Sequence, residues 1–508
     1  MTTHRGSLRA ALVAFALAHG IAAAQTTGFK AGFAERDITP KIGMEAPGGY
    51  GKAYHQTVHD PCKVRASVFD DGKNRVALVG IDALGIRGDT VAEVRAEIEK
   101  RTGIPGGSIL IGASHSHSSG PCCWILPGEF DHASELVRDL VYKQSTIVDL
   151  EYLKTFKRAI IDAVVAADTA RTEALGAVGS GKQEGVAFNR RFKMKNGITY
   201  THPGLGNPEI VEPAGPVDPE VGVIGVWDAA HPDELLGCVV NFSCHATTNP
   251  GGISANYIYY LEKVIQGFYG KEAVVVFLNG ASGDVTQVDN QSPHVYPSGD
   301  RWARIVGGKV GAEALEVLIS MEPGKLSPMN ASRHVWTIPR RRPSAATLEK
   351  SRKLIAEDRA KVDSTDWTFA KETLILESLL EKEPAATVEV QAVQVGPAVF
   401  VTTPAEYFCR LGLDIKAGSG FPFTFPVSLA NGCVGYVPDE DAFSPTGGGY
   451  ETRLTSYSNL EITAGTAMRD MGISLARKLT PGANPGPKPR PKFQGKPWPY
   501  GSLPPQRD

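Results

Sequence analysis

His115 and His117 follow the apolar run Ile109-Leu110-Ile111-Gly112-Ala113 and lead straight into Ser118-Ser119-Gly120-Pro121. A buried strand that ends in a forced turn leaves both imidazoles at the rim of a sheet, where they can bind a metal ion or simply pair by hydrogen bonding. His245, Glu406 and Tyr436 recur in the same kind of place, each a few residues past a hydrophobic run. Zinc takes imidazole nitrogen and carboxylate oxygen, and catalytic zinc keeps one position open for water, so two histidines and a glutamate suffice. A tyrosine can add a phenolate, because a cation strongly lowers the pKa of a group it binds. Taken singly, His-x-His fits a hydrogen-bonded pair of histidines equally well, and His245 alone fits a merely packed histidine better.

Other segments carry weaker signals. Asn279-Gly280-Ala281-Ser282-Gly283-Asp284-Val285-Thr286 follows an apolar run; its glycines admit close backbone approach and Thr286 supplies a hydroxyl. It lacks the GK[ST] of a phosphate loop and reads equally as a strand-to-helix turn. Asn189-Arg190-Arg191 places a guanidinium for a carbonyl or forms an exposed basic pair. Gly447-Gly448-Gly449 reads as a turn, and Arg340-Arg341-Arg342 as a solvated loop.

The elements that must position these groups alternate. Val76–Ile81 and Ser108–Ala113 read as strands flanking a helix at Thr90–Lys100, with Val91, Val94 and Ile98 on one face and Asp89 as its cap, the order of a βαβ unit. A longer helix runs from about Leu150 to Ala167. Val221–Trp227, Leu236–Phe242 and Ala273–Leu278 read as strands, closed by Asp228, Ser243 and Asn279, and Trp302–Ile319 reads as a helix. Residues 344–383, charge-rich and without glycine, read as an insertion of two exposed helices; Val388–Thr403 returns to strand, turned at Gly396-Pro397. This predicts an α/β fold with a mixed β-sheet core flanked by helices.

Composition narrows the function classes. A net charge of -2 gives no basic face for nucleic acid, and 42% hydrophobic residues with 21% charged ones are globular proportions. Arg5 and Arg9, the apolar stretch Ala10–Ala18 and the small residues Ala22-Ala23-Ala24 have the pattern of a cleavable secretory leader over residues 1–24. That stretch is shorter than the roughly 20 residues a membrane span needs. A hydrolase domain is expected over 25–480, followed by an extended proline-rich tail over 481–508, and the mature protein is expected to be exported. The seven cysteines are odd in number and show no CxxC spacing, which argues against thiolate-bound zinc; Cys244 and Cys409 read as small hydrophobes beside the site.

The order Asp37-Ile38-Thr39-Pro40, Gly49-Tyr50-Gly51, Ser114-His115-Ser116-His117-Ser118, Asn189-Arg190, Cys244-His245, Gly283-Asp284-Val285, Pro404-Ala405-Glu406 and Gly435-Tyr436-Val437 resembles the neutral, non-lysosomal ceramidases. The similarity runs over nearly the whole mature chain. It implies the fold of the ceramidase N-terminal domain and zinc held by His115, His245, Glu406 and Tyr436. His117 would then face the substrate as a second imidazole, and Arg190 would hold the scissile amide or its neighbouring hydroxyl. The activity implied is hydrolysis of the amide of a lipid or other N-acylated small molecule, with peripheral contact to a membrane. Three features depart from the family. Thr286 stands where it carries a serine, Cys122-Cys123-Trp124-Ile125-Leu126 is bulkier than its usual loop, and a proline-rich tail replaces its C-terminal β-sandwich. These departures keep two other readings open: the same zinc site acting on an ester, lactone or acylated sugar, and a non-catalytic zinc-stabilised binding protein.

Overall fold

The apolar runs of the first third become strands in the computed structural model, which describes residues 28–508 apart from 296 and 488. The leader read over 1–24 lies outside the described residues. β1 (Lys30–Asp37), β2 (Lys63–Asp70) and β3 (Arg75–Ile81) form an antiparallel meander. Then come α1 (Gly88–Thr102), β4 (Ile109–Ala113), α2 (Glu135–Gln144), α3 (Leu150–Thr169) and β5 (Thr172–Lys182). β3 and β4 pair in parallel across α1, so the βαβ unit forms as expected. Asp89 does not cap α1: it lies within the first turn, and its carboxylate pairs with Arg87 at 3.0 Å instead.

Four short strands follow, β6 (Phe188–Asn189), β7 (Arg191–Met194), β8 (Thr199–Thr201) and β9 (Ile210–Pro213). β10 (Glu220–Asp228), β11 (Leu235–Phe242), α4 (Tyr257–Tyr269), β12 (Val274–Asn279), β13 (Val285–Thr286) and α5 (Asp300–Ile319) continue the chain. An 8-stranded sheet results, in the order β12-β11-β10-β5-β1-β2-β3-β4. Its parallel pairs are β11–β12 and β3–β4. The last third supplies β14 (Met329–Pro339), α6 (Ala345–Ala356), α7 (Ser364–Lys382), β15 (Ala385–Val395), β16 (Ala398–Thr403) and β17 (Glu406–Tyr407). It closes with α8 (Cys409–Ser419), β18 (Phe423–Ser428), β19 (Tyr436–Val437) and α9 (Ala464–Arg477). A 4-stranded sheet, β14-β15-β16-β18, is built here, with β15 and β16 turning at Gly396-Pro397 as predicted.

Side-chain alternation along the strands stacks these sheets. Leu78, Leu110, Ile224, Val239 and Val276 point to one face of the larger sheet and meet Val393, Val395, Phe400, Phe425 and Val427 of the smaller. From the other face, Val79, Ile81 and Ile111 pack under Val91, Val94, Phe156 and Ile160, and Val223, Val240 and Val275 pack under Leu261, Ile265, Val306 and Val310. The outer face of the smaller sheet is covered by Ile415, Met468 and Leu475. The layers are therefore helix, sheet, sheet, helix: the predicted α/β core with flanking helices, but with two stacked sheets.

The insertion departs from its expected exposure. α6 is largely solvated, whereas Ala370 through Leu376 of α7 are all buried. Leu374 and Ile375 pack with Phe130, Val137, Leu140 and Val141 around α2. Lys371, which charge alone would place in water, donates to the carbonyl of Tyr50 at 2.7 Å and to Ser145 Oγ at 3.0 Å, and sits 3.1 Å from Glu372. A buried ammonium is tolerable only with partners of this kind. The start of the proline-rich segment is tied to the fold: Gly482 donates to Gly396 and Asn484 exchanges two hydrogen bonds with Val178.

Arg65 on β2 ties the larger sheet to α4. Its Nη1 donates to Asp82 Oδ2 at 2.7 Å and its Nε to Glu262 Oε2 at 2.9 Å, all in the interior. Arg65→Ala strips both carboxylates of this counter-charge. It should lower the unfolding free energy by about 3–5 kcal/mol in urea titration, while the exposed Lys100→Ala stays within about 0.5 kcal/mol.

Candidate metal centre

The site lies beyond the carboxyl ends of parallel strands from both sheets, where α/β proteins place their ligands. His115 follows β4, His245 follows β11 and Glu406 follows β16. Backbone hydrogen bonds join these turns directly: His117 N–H to Ala246 O, His245 N–H to Val285 O, Gly283 N–H to Tyr407 O and Glu406 N–H to Gly435 O. Glu406 and Tyr436 are cross-strand partners in the parallel pair β17–β19. Such close joining needs glycine at 283, where a Cβ would stand 2.4 Å from the Glu406 carbonyl oxygen. His115 itself holds φ at 62°, a left-handed conformation that costs a non-glycine residue about 1–3 kcal/mol.

Proton accounting at the three imidazoles decides what the cluster can bind. Nδ1 of His115 lies 2.8 Å from Leu84 O, Nδ1 of His245 2.7 Å from Ser282 O, and Nδ1 of His117 3.0 Å from Gly48 O. A carbonyl only accepts, so each Nδ1 carries the ring proton and each neutral ring presents a bare Nε2. Those nitrogens converge: His115 and His117 Nε2 are 3.2 Å apart, and Oε2 of Glu406 is 3.2 Å from Nε2 of both His115 and His245. Oε2 is buried without a hydrogen-bond donor. Buried lone pairs that face one another repel, and a cation is the simplest group that satisfies them all. Burial, reinforced by Arg190 and His115, lowers His245 to about 3, so its ring stays neutral at ordinary pH. Burial also drives His117 well down, with His115 and His245 adding to it.

The other predicted residues surround this cluster. Arg190 is buried; its Nη1 donates to His245 Nε2 at 3.2 Å, its Nη2 to Gly283 O at 2.7 Å, and its Nε to Glu451 Oε1 at 2.9 Å. Its guanidinium also lies 5.5 Å from the ring centre of Tyr436 and 5.1 Å from that of Tyr450. The Tyr436 hydroxyl is 3.2 Å from that of Tyr450. Thr286 Oγ1 donates to Gln287 Oε1 at 3.1 Å, and Thr247 donates to the same oxygen at 3.0 Å. His115, His117, His245 and Glu406 thus meet closely, while Arg190, Tyr436 and Thr286 line the same space. Sequence reading missed Glu451, which orients Arg190; it lies two residues past the Gly447-Gly448-Gly449 turn. Within the metal-capable histidines the structure groups His117 with His115 and His245, whereas the resemblance to the ceramidases implies a separate role for it.

His115, His117, Arg190, His245, Thr286, Glu406 and Tyr436 open on one cavity of about 1300 Å³. Tyr50, Trp124 and Phe130 line it, together with Glu372, Ile375 and Leu379 of α7 and the charged Arg95, Arg333 and Glu389. No protein-family model and no curated protein sequence matches the chain. Among the solved structures that share its fold are two ceramidases. A neutral ceramidase from Pseudomonas aeruginosa superposes with a TM-score of 0.65 at 18% identity, over 90% of this chain and 76% of that one. A ceramidase complexed with C2 superposes with a TM-score of 0.63 at 16% identity, over 90% and 77%. The fold is that of the neutral ceramidases.

Asp284 fastens the Thr286 loop to the start of α8: Oδ1 accepts from Cys409 N–H at 2.8 Å and Oδ2 from Asn189 Nδ2 at 2.7 Å. Burial raises its carboxyl to about 6 against the pull of those two donors. A folded value above the unfolded one, about 3.9, means that the fold binds the proton more tightly, so the cost of ionisation is absent at low pH and complete above pH 6. Relative to Asp284→Asn, the unmodified protein should lose about 3 kcal/mol of stability between pH ~3 and ~7. Parallel urea titrations of the two proteins give the difference; a pH-independent gap would contradict it.

Proposed function

We propose that this protein is a zinc-dependent, ceramidase-like amidohydrolase that cleaves the amide of an N-acylated substrate. The observation that carries the reading is the convergence of bare Nε2 atoms on the Glu406 carboxylate in the lining of a large cavity. In this reading His115, His245 and Glu406 hold the ion and Tyr436, the cross-strand partner of Glu406, completes the set. Zinc bound there would polarise a carbonyl and bring the pKa of its water to about 7.

The chain's own residues supply the rest. Arg190 exchanges its contact with His245 for the substrate oxygen, and Glu451 keeps the guanidinium aimed. Oxyanion donors of this kind are typically worth about 3–4 kcal/mol each. His117, with Nδ1–H fixed on Gly48 and Nε2 bare, accepts a proton at Nε2 and returns it to the leaving amine. Thr286 offers the hydroxyl that the ceramidases place on serine, with a β-methyl restricting its rotamers. Trp124, Phe130, Ile375 and Leu379 give the cavity apolar wall for an acyl chain.

A second reading keeps the same site but changes the substrate to an ester, lactone or acylated sugar. It is favoured by the charged groups that share the cavity, Arg95, Arg333, Glu372 and Glu389. A purely structural zinc is not favoured, since such sites are closed and four-coordinate and need no adjoining cavity. The leader-like N-terminus supports export, with residues 25–480 as the hydrolase unit; among the described residues no helix is long and apolar enough to cross a membrane.

Zinc-loaded protein should release fatty acid from a short-chain ceramide, and Glu406→Ala should lose both tight zinc binding and turnover. Zinc binding without release from ceramide, but with hydrolysis of acylated sugars or lactones, would favour the second reading. For His117→Ala, zinc should remain at one equivalent while kcat falls about 100- to 10,000-fold. Loss of the zinc in that variant would make His117 a ligand instead.

A further inference from the structure

The bulky loop after the His117 turn brings a thiol to the cavity wall opposite another. Cys123 belongs to that loop and Cys433 to the segment leading into Tyr436; both line the large cavity, and none of the other five cysteines does. The two sulfurs face the same point of the backbone, Gly85, where a Cβ would stand 2.9 Å from the Cys123 sulfur and 3.4 Å from the Cys433 sulfur. The adjacent Cys122 faces the other way, with Sγ 3.8 Å from the Gly85 carbonyl and its side chain in the core beside Tyr152. Beyond the pair, Trp124 holds φ at 80°, unusual for a bulky residue, and its carbonyl accepts from Arg87. The loop is therefore fixed in the conformation that turns Cys123 towards Cys433.

We propose that Cys123 and Cys433 are a redox-active pair that closes to a disulfide, cross-linking the histidine loop to the tyrosine loop at the wall of the cavity. The oxidant is a low-molecular-weight disulfide such as oxidised glutathione, which the open cavity admits. One protein thiol, as thiolate, attacks it, forming a mixed disulfide and releasing one glutathione. The second then attacks the protein-bound sulfur and releases the other glutathione. Two protein S–H bonds are lost and one S–S bond forms; the oxidant leaves as two thiols carrying both protons. Closure belongs to the minutes-to-hours range of uncatalysed disulfide exchange.

The test is a thiol map of the full chain after incubation with oxidised glutathione, followed by denaturation, alkylation and digestion. The protein should lose two of its seven alkylatable cysteines. The digest should contain a Cys123–Cys433 linked peptide, and dithiothreitol should restore both thiols. Cys122→Ser should leave the link intact, whereas Cys123→Ser and Cys433→Ser should each trap a single glutathione adduct on the remaining partner. Seven free thiols, a Cys122–Cys433 link or two separate adducts in the unmodified protein would each overturn the proposal. Because the peptide map uses the unmodified chain, it decides the matter even if a variant fails to fold.

Discussion

Three imidazoles spend their only ring protons on backbone carbonyls, and the organisation of the site follows from that commitment. Leu84, Ser282 and Gly48 supply the acceptors, so His115, His245 and His117 turn bare nitrogens towards one another and towards Glu406. In a buried space such an arrangement is unfavourable by itself. It persists because the carbonyls belong to turns held by other turns. The backbone bridge from Ser116 to Ala246 joins the first histidine loop to the second, and β17–β19 joins the glutamate to the tyrosine. Strain at His115 and close backbone approach at Gly283 are the costs of bringing these chain segments together.

The two stacked sheets explain how residues so far apart in sequence meet. His115 and His245 come from the larger sheet, Glu406 from the smaller, and the shared core between the sheets fixes the separation of their carboxyl ends. α7 contributes a further part of the cavity wall. It presents Ile375 and Leu379 alongside Glu372, whose carboxylate is held by Lys371 and Ser456. The cavity therefore joins apolar walls to fixed charges, a combination suited to an amphipathic substrate.

Much of this was readable from residues alone. Runs such as Val76–Ile81 and Leu236–Phe242 are apolar on both faces because each lies between a helical layer and a second sheet, so their strands were plain. The histidines were visible only as residues that follow a run that must end; a packed, hydrogen-bonded histidine looks the same in sequence. α7 was misjudged for a physical reason: Lys371 and Glu372 satisfy one another in the interior, and single-residue polarity cannot anticipate a partner. Asp89 looked like a cap by type, but the chain enters α1 two residues earlier and gives its carboxylate to Arg87. The role of Glu451 depends on Arg190, 261 positions away, and no local pattern encodes that pairing. The sheet stacking was hidden for the same reason.

The most direct test of the central claim is anomalous diffraction at the zinc absorption edge from crystals grown with one equivalent of zinc. The account predicts a single strong peak among the Nε2 atoms, with imidazole nitrogens at about 2.0–2.1 Å and a Glu406 oxygen at about 2.0–2.2 Å. No peak between His115, His245 and Glu406, or an ion bound elsewhere with those nitrogens still bare, would contradict it.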